Sequence, residues 1–240
     1  MAHVTWLDVK GNTQVAVSDV HRFGTDAILL SHFSCPTRGE RVCELGTGCG
    51  AIALRLCATG LPSAVHGVDI AAEAIELASM SAAAFDGAPT PTFAVADWNE
   101  PSSIAAAGSF RRVVCNPPYF PPDSGGVSEN EAARLARHEQ PNTLAAVCRA
   151  AAWLLQFGGR FCLCHRPERL AAVLVALTAN GLEPKRLQAV QQTAHTPPWL
   201  FLVEARKGGK PGLVWEAPLI LNEADGTPSA AYREIYGGDE

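Results

Sequence analysis

The chain has no surplus of positive charge. Its 19 Lys and Arg stand against 24 Asp and Glu, a formal balance of −5. A bulk electrostatic grip on a polyanion is therefore not advertised. Cys-x-x-Cys pairs are missing too. The eight cysteines, Cys35, Cys43, Cys49, Cys57, Cys115, Cys148, Cys162 and Cys164, are scattered, which gives no zinc spacing. His21, His32, His66 and His195 have no partner at metal spacing either, so no metal is expected. No window reaches 18 uncharged apolar residues, which excludes a membrane-spanning helix and a membrane partner. The opening "MAHVTWLDVK" has neither a basic start nor an apolar run, so no secretory signal is expected. Reduced cysteines packed as small apolar residues, in a cytoplasmic protein, are the expectation. Internal repeats and low-complexity blocks are also lacking.

What is present is a β/α alternation. With 48% apolar residues in 240, the chain can build one sizeable core. Strands are expected at 41–45, 64–70, 92–97, 110–116, 160–165, 184–190 and 199–205. Helices are expected at 51–59, 71–85, 144–157 and 167–180. Thr143 is expected to cap the third helix and Gly158 and Gly159 to stop it, with Trp153, Leu154 and Leu155 as core. Strands alternating with helices imply right-handed crossovers. The fold class is α/β, a doubly wound, seven-stranded, mostly parallel Rossmann-like sheet. Only eight residues, "QQTAHTPP", join the last two strands, so the last is expected to run antiparallel. Residues 1–40 read as an amino-terminal extension, with some strand and a helix "TDAILLSHFS" capped by Thr25, that packs on a core of residues 41–240.

"ELGTGCG", residues 44–50, separates the first core strand from its helix. Gly46, Gly48 and Gly50 allow a sharp turn and a close approach of backbone to ligand. Glu44 precedes them. Asp69 ends the second strand, placed for two ribose hydroxyls. Asp97 ends the third, beside Trp98, placed for an exocyclic amine under a stacked ring. Thr47 and Ile70 complete the expected cofactor set. An acid-lined site suits a nucleoside carrying a cationic amino-acid arm, and S-adenosyl-L-methionine is such a ligand. Read blandly, Glu44 and Asp97 only cap loops and helices.

"RRVVCNPPYFPP", residues 111–122, ends the fourth strand at the same sheet edge. Proline cannot continue a sheet ladder. Asn116 offers a carbonyl oxygen, and Pro117 a backbone carbonyl with no competing N–H. Together they suit the two hydrogens of a planar primary amine, with Pro118 stiffening the turn and Tyr119 stacking on the ring that bears the amine. Such a nitrogen is a poor nucleophile because its lone pair is delocalised. Two acceptors on its hydrogens return electron density to it, and alignment does the rest.

"ELGTGCG", "VDI", "AD" and "NPPYF" together resemble the class I methyltransferases that modify an amino nitrogen. More narrowly, with "RFGTDAILL" upstream and "ARHE", "HRPERL", "LEPKR" and "GKPG" downstream, the chain is similar to the bacterial valine-tRNA adenine-N6 methyltransferases over about residues 15 to 237. The resemblance implies a tRNA partner and an adenine beside the anticodon as target. It implies Asn116, Pro117, Pro118 and Tyr119 as the amine-binding motif. It implies Glu44, Gly46, Gly48, Asp69 and Asp97 as cofactor contacts, with Thr25 and Asp26 bordering the cofactor.

Charge is unevenly spread. Residues 1–100 hold 5 Lys and Arg against 11 Asp and Glu, and residues 111–210 hold 13 against 7. The middle of the chain can thus offer a modest basic face. Phe120, Arg134, Arg137 and His138 in the long loop 120–142, and His165 and Arg166 after a strand end, are the expected RNA contacts. Arg160, Arg169, Lys185, Arg186 and the turn 205–212 are weaker candidates. A monomer or weak homo-oligomer is expected. The alternative enzymes are a protein glutamine methyltransferase, whose usual extra helical domain has no room in 40 residues, and an amino methyltransferase acting on DNA or ribosomal RNA. A nucleoside-binding module is the non-enzyme alternative.

Overall fold

A computed structural model describes residues 3–119 and 143–237. A hairpin comes first, β1 (Thr5–Lys10) and β2 (Thr13–Val17), paired antiparallel. Helix α1 (Thr25–Phe33) follows. Then come β3 (Arg41–Leu45), α2 (Ala51–Cys57), β4 (Ala64–Asp69), α3 (Ala72–Ala84), β5 (Thr92–Val95), a short α4 (Pro101–Ile104) and β6 (Phe110–Cys115). Helix α5 (Thr143–Leu154) leads directly into β7 (Leu155–His165). A single 3-10 turn (Pro167–Arg169) opens α6 (Leu170–Ala179), followed by β8 (Leu182–Gln191) and β9 (Leu200–Lys207). Two short strands, β10 (Val214–Trp215) and β11 (Leu219–Ile220), and helix α7 (Ala230–Tyr236) complete the described chain.

The central sheet runs β10-β8-β9-β7-β6-β3-β4-β5, with β11 also on β8. Only β9 is reversed, antiparallel to both β7 and β8. All seven expected core strands are there. The sheet has nine strands rather than seven because β10 and β11, two residues each, extend β8 in parallel.

Alternation along the strands sorts side chains to two faces. Val42, Val114, Cys162, Cys164 and Leu202 face a cluster shared with α1, α2 and the hairpin. Cys43, Leu45, Val113, Cys115, Phe161 and Leu163 face a second cluster shared with α5 and α6. Helices thus cover both faces of the sheet, and all eight cysteines are free thiols, seven of them buried.

Three local expectations are corrected. Helix α5 stops at Leu154, and Leu155 to Phe157 are already strand. The run "AAWLLQF" suits either element, and pairing of Leu155 with Phe110 decides it. Trp153 is not core but 42% exposed, its Nε1 donating to the Ala105 carbonyl at 3.2 Å. Thr25 is the first helical residue, with Gly24 as the uncapped N-cap. Its side chain lies near the Tyr236 phenol instead.

Arg55 on α2 is buried and donates to the carbonyls of Val9 on β1 and Ile235 on α7. It therefore ties the first strand and the last described helix to the middle of the fold. Among the described residues no helix is long and apolar enough to cross a membrane.

Candidate active site

The parallel pairing places the candidate residues. Leu45 is opposite Cys115 and also opposite Val68. The next residues, Gly46 and Asn116, therefore leave the sheet side by side, with Asp69 ending the neighbouring strand. This is the carboxyl edge, where ligands of open parallel sheets gather.

The glycine loop runs at positive φ, 69° at Gly46, 54° at Gly48 and 84° at Gly50, values that suit glycine and few other residues. A Cβ at Gly46 would lie 3.1 Å from Trp98 Cζ3, so the indole leans over the start of the loop. A Cβ at Gly48 would meet nothing within 4 Å, so the space above the loop is open.

Glu44 lies beneath this loop, 1% exposed. Its Oε2 accepts from Thr47 Oγ1 at 2.7 Å and from Ala53 N–H at 2.9 Å. Burial nonetheless pushes its carboxyl up to about 8 against those two hydrogen bonds. Asp69 accepts from Gly48 N–H at 2.8 Å and Ala71 N–H at 2.9 Å. Asp97 accepts from the backbone and side-chain N–H of Asn99. All three acids hold the local backbone. Ile70, beside Asp69, is 52% exposed at the edge.

Asn116 differs from expectation in its orientation. An outward-facing carbonyl is expected, but the amide is tied into a network. Nδ2 donates to Asp26 Oδ2 at 3.0 Å. Oδ1 accepts from Tyr119 Oη at 2.5 Å and from Cys164 Sγ at 3.1 Å. Tyr119 Oη also lies 2.7 Å from Asp26 Oδ2. Burial is the largest cause pushing up both the Tyr119 phenol and the Cys164 thiol, so both stay protonated donors. Pro117 is buried and Pro118 half-buried.

The expected RNA contacts fare unevenly. Phe120, Arg134, Arg137 and His138 lie outside the described residues. His165 is 4% exposed, edge-on to Tyr119 at 5.4 Å and stacked on Phe201. Burial first, then Arg169 and Arg166, lower its imidazole to about 4. It stays neutral and supports the Tyr119 ring rather than meeting phosphate. Arg166 sits 5.3 Å from the Tyr119 ring and 5.5 Å from the Trp199 ring, and donates to the Trp199 carbonyl. Arg160 and Arg186 are taken up by Glu204 and Glu216. Cys164 and Trp199 were missed in the sequence, where each reads as one more core apolar residue. No cluster of metal-ligating residues occurs among the described residues.

The methyltransferase small domain family matches residues 19–169. The tRNA1(Val) (adenine(37)-N6)-methyltransferase of Vibrio parahaemolyticus is 30% identical over 213 residues, covering 84% of this chain and 82% of that one. A release factor glutamine methyltransferase from Rhodospirillum rubrum is 40% identical over 97 residues, but the chain spans only 29% of its length. Among solved structures, a predicted O-methyltransferase from Agrobacterium tumefaciens superposes with a TM-score of 0.73 at 22% identity, covering 89% of this chain and 96% of that one.

Proposed function

Because the chain belongs to the methyltransferase small domain family and, within it, to the valine-tRNA adenine-N6 methyltransferases, we propose that it methylates the N6 amino group of an adenine in tRNA, beside the anticodon. It is an S-adenosylmethionine-dependent methyltransferase. The residues present suit that cofactor: three positive-φ glycines with open space at Gly48, Asp69 at the neighbouring strand end and an exposed Ile70 beside it. When bound, the cofactor supplies a methyl group on an electrophilic sulfonium.

The observation that carries the reading is the Leu45–Cys115 pairing, which sets Gly46 and Asn116 next to each other. A methyl donor held by the loop and an amine held by Asn116 then lie within one reach. Asn116 Oδ1 and the Pro117 carbonyl take the two amine hydrogens, which pulls electron density onto nitrogen. The Tyr119 ring stacks on the purine. Fixing donor and acceptor in line replaces a strong base, and the proton leaves to water after transfer. An anticodon-loop adenine is already outside a duplex, so presenting it costs less than flipping a paired base.

The test is tritiated methyl transfer from S-adenosylmethionine to total tRNA from a strain lacking this gene, followed by nucleoside digestion. N6-methyladenosine is expected, and Asn116→Ala is expected to lower its formation by about 10²-fold or more. Label found only in protein would turn the assignment to the glutamine-methylating relative's reaction.

A further inference from the structure

We infer that Asp26 is a positioning residue, which fixes the amide of Asn116 and receives the Tyr119 hydroxyl hydrogen when a target amine arrives. The inference rests on the amine-methylating reading above and concerns a contact that joins residues 90 apart in sequence.

An asparagine amide has a donor end and an acceptor end, and only the acceptor end can hold an amine hydrogen. With Nδ2 at 3.0 Å from the Asp26 carboxylate, a flipped amide would set oxygen against oxygen. Asp26 thus commits Oδ1 to the other side. A carboxylate on the N–H end also polarises the amide and makes Oδ1 a stronger acceptor.

Both lone pairs of Oδ1 are engaged, by Tyr119 Oη at 2.5 Å and Cys164 Sγ at 3.1 Å. An incoming amine needs one of them. The phenol has a single hydrogen and a second acceptor, Asp26 Oδ2, at 2.7 Å. Rotation about the phenol C–O bond swings that hydrogen from Asn116 to Asp26. Without that hydrogen the phenol oxygen is no longer held at 2.5 Å from Oδ1, and its withdrawal opens one lone pair to the amine, with no proton leaving its residue.

Local structure holds Asp26 for this task. Its Oδ1 accepts from Ala27 N–H at 2.9 Å. A Cβ at position 24 would lie 2.7 Å from that same oxygen, so Gly24 leaves the room the carboxylate occupies.

The experiment compares Asp26→Ala, Asp26→Asn, Asn116→Ala and the Asp26→Ala/Asn116→Ala pair in single-turnover methylation of tRNA, with S-adenosylhomocysteine affinity measured by calorimetry. Asp26→Ala is expected to lose about 10²-fold in rate, Asp26→Asn less, with cofactor affinity within a few-fold of wild type. The double variant should be no slower than Asn116→Ala alone, because Asp26 acts through Asn116. Gly24→Ala, which displaces the carboxylate while keeping it, should reproduce the loss. Additive losses, or a loss of cofactor affinity that accounts for the rate, would overturn the inference. A readout free of any substrate is the side-chain amide signal of Asn116 in proton–nitrogen spectra. The proton facing Asp26 is expected downfield and should move upfield in Asp26→Ala, and an unmoved signal refutes the contact. Should wild type itself transfer no methyl to tRNA, the amine-methylating reading fails, while the spectrum still decides the contact.

Discussion

Glu44 carries its chemistry in its burial. Its folded carboxyl titrates near 8, whereas an ordinary glutamate does so near 4.5. Between those values the unfolded chain has lost its proton and the native one keeps it. Stability therefore falls as pH rises through that window. Thermal melts of wild type from pH 5 to pH 8 should show this loss, and Glu44→Gln should show less of it. Equal slopes in the two proteins would mean that the residue is ionised throughout. The same side chain shows where reading by residue type stops. An acid before a glycine loop is visible in the sequence, but its two bonds, to Thr47 and Ala53, depend on how the loop closes above it. The pairing of Asp26 with Asn116 is less visible still, since no local pattern links a helix start to a distant strand end.

At the scale of elements, a chain of ions crosses the sheet. Arg112 on β6 is buried between Glu40 at 2.9 Å and Glu204 at 3.3 Å. Glu204 on β9 also holds Arg160 of β7 at 2.9 Å and Arg186 of β8 at 3.4 Å, and Arg186 reaches Glu216 at 2.6 Å. Removing the shared carboxylate leaves Arg112 buried with a single carboxylate, that of Glu40. Glu204→Leu is expected to cost about 3–5 kcal/mol in denaturant unfolding, the usual scale for breaking a buried pair. Glu216→Ala, which removes a half-exposed partner, should cost under about 1 kcal/mol. A small loss for Glu204→Leu would show that water already solvates the cluster. Most elements were legible beforehand, because strands such as Arg41–Leu45 and helices such as Ala72–Ala84 are long and bounded by turn residues. The junction at Leu154 was not, since apolar residues there satisfy either period. Strands of two residues, Val214–Trp215 and Leu219–Ile220, carry too few positions to show any period.

On the whole molecule, the basic surplus of residues 111–210 shrinks once partners are assigned. Arg112, Arg160 and Arg186 neutralise acids of the sheet, and Arg166 is held between aromatic rings. Among the described residues four of the thirteen cations of this stretch are taken up in that way, and the total charge is −5. Binding of tRNA should therefore depend weakly on salt, with a slope of log affinity on log salt no steeper than about −3, corresponding to about three or four phosphates. Filter binding between 50 and 300 mM salt measures it, and a slope near −8 would reveal a basic surface that these pairings do not account for. A last consequence lies in the arginine of α2 that grips both the first strand and helix α7. On the ribosome, residue 235 emerges long after residue 9, so the opening hairpin waits without its clasp through nearly the whole of translation. The same late helix brings Tyr236 to Thr25, next door to Asp26. Ribosome-stalled chains released short of α7 would thus have every methyl-transfer residue yet lack the brace behind the carboxylate.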